Sequence, residues 1–417
     1  MGDPHILLAT AFAALDDDRV AWCLLRGADL HAPDGDVDLL VAPADAPRLD
    51  ALLARAGFAR LPAPVRGSHT FHLAYDGAGG RWVKLDIVTE LAFGGDFALV
   101  SDSAAACLAR RRRAGAVAVL DDADAFWCLL LHRLLDKGAV GAAAADLARL
   151  AAAGDCAGSP LAVELAGIGA PRCAPETLLA LARRGAWAEL DARAPALAAG
   201  WARRRRASVL RRRARARLTS RAGPLVRRRR GMTVALLGPD GAGKSTAATA
   251  LEQSFVLPVH TLYMGSGRRW AGTAPPPGIG LGLRIAGQLG RWARGMSHRA
   301  RGRLVVFDRY ASDARLPAPR PLGRAGRARR WLLARSCPAP DMTVVLDAPG
   351  ETLHARSGEH TAVLLEAQRQ GYLAIARDAR GSVVVDASRS ADQAHRDLTA
   401  AIWAAYRQRW EPRRART

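Results

Sequence analysis

The run Gly238-Pro-Asp-Gly-Ala-Gly-Lys-Ser245 has the spacing G-x-x-x-x-G-K-[ST], a pattern suited to a polyphosphate. Glycines let the backbone turn its N–H groups toward phosphate oxygens. A lysine closing the loop reaches the β- and γ-phosphates, and the hydroxyl after it can ligate Mg2+. The candidate donor-binding residues are therefore Gly238, Asp240, Gly241, Ala242, Gly243, Lys244, Ser245 and Thr246, with Thr246 expected to cap the following helix. Lys244 is informative because only three of the 61 basic side chains are lysine. A slim ammonium enters a ring of N–H groups where a planar guanidinium is too broad.

Two further sets of residues could carry chemistry. Asp308 closes the apolar run Arg303-Leu-Val-Val-Phe-Asp308, and Arg309 follows it directly. A carboxylate at the carboxyl end of a strand can hold a magnesium-bound water beside phosphates, and Arg309 is expected to face the same crevice. Nearer the start, Asp36-Val-Asp38 opens a strand with both carboxylates on one face, and Asp86 lies on a later strand. Three carboxylates converging on adjacent strands would bind two magnesium ions for nucleotidyl transfer. A charged turn without catalysis is the alternative.

The elements that must position these residues fall into blocks. Residues 1–115 alternate helix and strand, with a hairpin predicted around Asp76-Gly-Ala-Gly-Gly80. The pattern over 116–200 is helical, with broad faces read as apolar at Phe126, Leu129, Leu130, His132, Leu134 and Leu135. Residues 201–231 are expected to form an arginine-rich, solvated linker with one basic helix ending near Gly223-Pro224. From 232 to 417, apolar strands at 233–237, 257–263, 303–308, 342–347 and 382–386 alternate with helices, and Ala274-Pro-Pro-Pro-Gly278 is a predicted loop. That alternation implies a parallel α/β sheet covered on both faces.

Composition limits the function classes. Half the residues are hydrophobic, which is ample for buried cores in a 417-residue chain. A net charge of +22 opens two readings of the linker: a solvated surface, or a segment that binds an anionic membrane or nucleic acid. The six cysteines form no C-x-x-C or His/Cys cluster, so neither zinc nor a disulfide framework is indicated. No signal peptide is read at Met-Gly-Asp-Pro-His, no apolar run is long enough to cross a bilayer, and a cytoplasmic location is expected.

Gly238–Thr246, Phe307-Asp-Arg-Tyr310, Leu346-Asp-Ala-Pro-Gly-Glu351 and Arg369-Gln-Gly-Tyr-Leu373 resemble the successive motifs of thymidylate kinases, in matching order over about residues 232–410. The resemblance implies a doubly wound parallel sheet of the P-loop kinase type, ATP and Mg2+ as cofactors, and γ-phosphoryl transfer to a small-molecule acceptor. It would make Lys244, Asp308, Arg309 and Arg356 catalytic, with Arg309 on the acceptor phosphate. Arg356 would sit on a lid, or alternatively serve as a helix C-terminal cation. One departure bears on the acceptor: where those kinases carry a Thr-Arg-Glu-Pro-Gly-type segment, this chain reads Tyr263-Met-Gly-Ser-Gly-Arg-Arg-Trp270. Leu24–Gly27, Gly35–Val41 and Trp82–Val88 resemble the nucleotidyltransferase fold of the aminoglycoside-modifying type over about residues 5–115, an α+β domain whose usual companion is a helical annex. In that resemblance Asp36, Asp38 and Asp86 are the metal ligands. The fold class expected is thus α/β, a C-terminal doubly wound parallel sheet preceded by an α+β domain with a helical annex, and a nucleotidyltransferase activity or an ATP-binding regulatory role are alternatives to the kinase.

Overall fold

A computed structural model describes residues 3–26, 29–33, 35–61, 67–153, 155–170, 172–227, 231–265, 279–318 and 321–410. The chain divides into two compact units, Met1–Tyr75 with Trp82–Gly223 and Asp76–Arg81 with Pro224–Thr417. The predicted loop at Ala274–Gly278, the Gly27-Ala28 turn and the segment from Ser266 to Trp270 lie outside the described residues.

The first unit holds β1 (Trp22–Arg26), β2 (Asp36–Val41), β3 (Ala59–Arg60), β4 (Thr70–Asp76), β5 (Arg81–Val88), β6 (Leu91–Phe93), β7 (Leu99–Ser101), β8 (Arg112–Ala114) and β9 (Val117–Val119). Seven of these form one mixed sheet in the order β3-β4-β5-β2-β1-β9-β8, and β6 pairs with β7 separately. β2 and β5 run parallel with Asp38 opposite Asp86. Phe12, Trp22, Phe58, Phe126, Trp127 and Trp201 are buried in one continuous core shared by the sheet and the helices that follow. Each large side chain so placed contributes roughly 1.5–3 kcal/mol by leaving water.

Local signals set the helix ends. The Asp121 carboxylate accepts from Ala123 N to cap Asp122–His132. Pro160–Ile168 has Ser159 as its cap, proline in its first turn and left-handed Gly169 after its end.

The basic helix expected in the arginine-rich segment is present, and most of its described arginines are exposed, but it ends later than expected and the segment is anchored to the core at two points. Trp201 closes into the core from the helix Ala194–Arg204, and Val209 does so from the helix Arg206–Arg227. That second helix runs through Gly223-Pro224 rather than ending there. Acids elsewhere in the unit relieve the arginine repulsion: Arg205 pairs with Asp102 and Glu164, and Arg212 forms a two-pronged pair with Glu90 at 2.6 and 2.7 Å.

The second unit is α/β around five strands, β10 (Met232–Leu237), β11 (Val259–Tyr263), β12 (Leu304–Asp308), β13 (Met342–Asp347) and β14 (Ser382–Asp386). They are all parallel, in the order β11-β12-β10-β13-β14. Every residue of the central strand β10 is buried, as a sheet covered on both faces requires. Much of the basic, glycine-rich stretch after β11 is the helix Ile279–Ala300. It packs closely on β12 at Gly295, where a Cβ would fall 2.6 Å from the Phe307 ring. No helix among the described residues is long and apolar enough to cross a membrane.

Candidate functional site

The carboxyl end of β10 leads straight into Gly238, and the helix Lys244–Ser254 starts at the end of the same loop. Gly241 turns the loop at φ +86°, and a Cβ there would meet the Leu353 carbonyl oxygen at 2.5 Å. Both the conformation and the close approach therefore demand glycine. The helix is capped by the backbone of left-handed Gly243 with no side-chain bond, so Thr246 is not the cap expected; it lies exposed on the cavity wall. The strand-loop-helix order presents N–H groups and the positive end of the helix dipole to one cavity of about 810 Å3.

Asp240 to Ser245, Asp308, Arg309 and Arg356 all line that cavity. Lys244 is buried and donates 2.7 Å to the Pro239 carbonyl oxygen, with Asp240 at 3.8 Å. Burial and then the Arg309 charge pull its ammonium below the ordinary lysine range. Ser245 Oγ donates 3.3 Å to Asp308 Oδ2 from the neighbouring strand β12. The other oxygen of Asp308 is buried and has no hydrogen-bond partner among the described residues. A buried carboxylate oxygen left without a donor, beside an exposed hydroxyl, fits a divalent cation or its water.

Arg309 adopts φ +66°, a left-handed conformation uncommon outside glycine. Its guanidinium pairs with Asp240, lies 3.7 Å from Asp313 and donates 3.5 Å to the Tyr372 hydroxyl. Burial opposes its charge, but Tyr372, Asp240 and Asp313 outweigh this and its pKa rises. Asp313 is pushed up to about 6, first by burial, against the nearby Arg309 and Lys244 charges. One Asp313 oxygen is buried without a partner.

Arg356, in the last turn of the helix Gly350–Ser357, donates 2.6 Å to the Ala387 carbonyl oxygen and 3.3 Å to that of Ser388. It thus ties that helix to the chain leaving β14. Asp347 and Arg369, from two separate sequence motifs, form a two-pronged pair at 2.6 and 3.0 Å.

Sequence reasoning missed Asp313 and gave Tyr372 no role. The only local signal was the four-residue spacing from Arg309 to Asp313, which the short 3-10 turn Ala311–Arg315 converts into contact.

The N-terminal carboxylates line a second cavity of about 540 Å3 in the first unit. Each is engaged by a protein side chain: Asp36 by Lys84 at 2.6 Å, Asp38 by Arg26 at 2.6 Å, and both oxygens of Asp86 by His69 Nδ1 at 2.9 Å. Burial, ahead of the opposing Arg26 charge, raises the Asp38 carboxyl above its usual range. The three do not gather their oxygens within 4.8 Å as a metal nest; among the described residues only Asp240, Glu359 and His360 do so. Lys84, Arg26 and His69 thus hold the three carboxylates at the cavity wall. The six cysteines are free and buried, and burial drives the Cys23 and Cys107 thiols up to about 12, so neither is an activated nucleophile. The chain matches no family model and no curated protein.

Proposed function

We propose that the C-terminal unit transfers the γ-phosphoryl group of ATP to a small-molecule acceptor, in the manner of the thymidylate kinases its motifs resemble. The observation that carries this reading is the Ser245–Asp308 pair, with a partnerless buried Asp308 oxygen, beside a buried lysine at a glycine loop. Lys244 would exchange the Pro239 carbonyl for a phosphate oxygen. Ser245 and Asp308 would hold Mg2+, which when bound neutralises charge on the β- and γ-phosphate oxygens. Arg309 would grip an anionic group of the acceptor, and Arg356 would steady the rim of the cavity. The enzyme would work in the cytoplasm.

The test is ATP with Mg2+ against nucleoside monophosphates, sugars, lipid extracts and aminoglycosides, with ADP and pyrophosphate read separately. ADP formation with one acceptor, lost on Lys244→Ala and not restored by Lys244→Arg, supports the reading. ADP formation unchanged in Lys244→Ala sinks it. No consumption of dTMP while another acceptor turns over rejects a nucleotide acceptor of the thymidylate type.

A second reading, nucleotidyl transfer by the N-terminal unit, is favoured by the register that sets Asp38 opposite Asp86 on adjacent parallel strands at one cavity. Here the magnesium would arrive with the nucleoside triphosphate as substrate. Pyrophosphate release that is lost on Asp38→Asn while ADP formation persists would separate the two activities.

A further inference from the structure

The helix Asp122–His132 continues into a π-helical turn, Arg133–Lys137, which ends at left-handed Gly138. A turn of this kind, closing on a left-handed glycine, is a common way to end a helix, and here it sets where Asp136 lies relative to His132. Across this junction His132 Nδ1 meets Asp136 Oδ2 at 2.6 Å, while Asp136 Oδ1 accepts from the backbone N–H of Gly94. Nδ1 is thus committed, no hydrogen bond holds Nε2 among the described residues, and His132 lines the N-terminal cavity.

The loop on the far side of Asp136 is strained. Asp96 and Phe97 are consecutive non-glycine residues at φ +59° and +50°. Such conformations persist where the surroundings over-determine them, and they cluster at active sites. Phe97 in turn packs, tilted by 40° with ring centroids 4.1 Å apart, against His69, the partner of Asp86. The dyad, the strained loop and the carboxylate strands are therefore one connected structure around one cavity. Asp36, Asp38, Asp86, Glu90, Asp96 and Asp136 line the cavity with Arg26 and Lys137, and Lys84 and Arg212 pair with Asp36 and Glu90.

We propose that His132 is the proton-accepting catalytic residue of this cavity, with Asp136 as its positioning residue. The proposal rests on the nucleotidyl-transfer reading of the N-terminal unit. A hydroxyl oxygen of the acceptor forms a bond to the α-phosphorus of a nucleoside triphosphate. The bond from that phosphorus to the oxygen bridging to the β-phosphate breaks, and pyrophosphate leaves with the electron pair. The hydroxyl proton passes to His132 Nε2, and Asp136 stabilises the imidazolium through Nδ1–H.

The full chain is incubated with magnesium and each of α-labelled ATP, CTP, GTP and UTP, with glycerol, glucose, glucosamine and ethanolamine as acceptors beside water. Pyrophosphate and nucleotidylated products are followed from pH 5.5 to 9. The expected result is that His132→Ala and His132→Gln lower kcat about 100-fold or more, with the KM for nucleotide changed less than about threefold. Added imidazole partly restores His132→Ala, and Asp136→Asn displaces the rising limb of the pH profile. Circular dichroism on each variant identifies any that fail to fold, and His132→Gln, nearest in shape, carries the test if the alanine variant does. If both His132 variants fold and keep the parental kcat and pH profile while Asp38→Asn abolishes pyrophosphate release, the dyad is structural and only this proposal falls. If the parent chain releases no pyrophosphate with any of these pairs, the proposal falls together with the nucleotidyl-transfer reading.

Discussion

The Arg309 guanidinium joins Asp240, in the glycine loop, to Asp313, 3.7 Å away in the turn after β12. A single side chain thus connects the wall that would hold a donor to a buried acid outside the sequence motifs. The planar fork makes this bridge, with the Tyr372 hydroxyl as a third contact at 3.5 Å. A lysine has the charge but only a point-like ammonium, so it cannot span the same partners. Arg309→Lys is therefore expected to lose most phosphotransfer, on the order of 100-fold in kcat/KM, while ATP affinity changes only a few-fold. Steady-state ADP formation with isothermal titration of ATP checks this. Equal losses of ATP affinity and turnover would instead assign Arg309 to the donor side.

Asp308 carries the second prediction. Its Oδ2 is bonded to Ser245 and its Oδ1 is buried without a partner. Asparagine at 308 would place a neutral amide where, in the proposed reading, the cation or its water would sit. Asp308→Asn should raise the magnesium concentration needed for half-maximal ADP formation by about tenfold or more, since one lost charge-assisted contact is worth roughly 1.5–3 kcal/mol. Stability should hold or rise, because the orphaned buried charge is removed. An unchanged magnesium dependence would take Asp308 out of the metal site.

The strands of the second unit are legible in the sequence because each is buried on both faces. An apolar run such as Thr233–Leu237 then needs no alternation to be recognised. The glycine loop is legible because strand, loop and helix are contiguous. What bends Arg309 toward Asp240, or fixes Arg356 on the carbonyls after β14, is contact between segments 69 and 31 residues apart. No local pattern encodes such a pairing. The arginine-rich stretch misleads in the opposite way. Charge density reads as solvent, but Asp102, Glu164 and Glu90, distant in sequence, neutralise it and let Trp201 and Val209 pack. The His132–Asp136 spacing was visible as a helical i,i+4 pair, yet only Gly94 and the π-turn set it apart from an ordinary one.

Asp313 gives a pH prediction. Burial lifts its carboxyl from 3.8 to about 6 in the folded chain. The folded state then binds the proton more tightly than the unfolded state does. This group's destabilising contribution is absent below about pH 3.8, grows as pH rises to about 6, and is constant above. Its ceiling is on the order of 2 kcal/mol, because part of the shift is lost to residual solvent. Asp313→Asn removes the titration, so its stability relative to the parent should improve by up to that amount between pH 4 and pH 7. Urea unfolding of the second unit, followed at both pH values, checks the sign. Parallel stability curves for parent and variant would show that Asp313 does not titrate in this window.

The arginines of residues 203–213 divide into two groups with different expected roles. Arg205 and Arg212 are held in ion pairs with side chains only 28% and 29% exposed, whereas Arg203, Arg204, Arg206, Arg211 and Arg213 are exposed. Charge that is already paired has little left to offer a polyanion, while exposed charge releases counterions when a polyanion binds. Arg212→Ala should cost roughly 1 kcal/mol or more, because it leaves Glu90 partly buried and unpaired. It should leave binding to anionic vesicles or duplex DNA nearly unchanged. Replacing the five exposed arginines by glutamine should leave unfolding midpoints within about 0.5 kcal/mol and remove any salt-sensitive polyanion binding. Denaturant melts beside vesicle sedimentation and DNA titrations at two salt concentrations distinguish the groups. If the five-fold variant binds as tightly as the parent, these five arginines are not the polyanion surface.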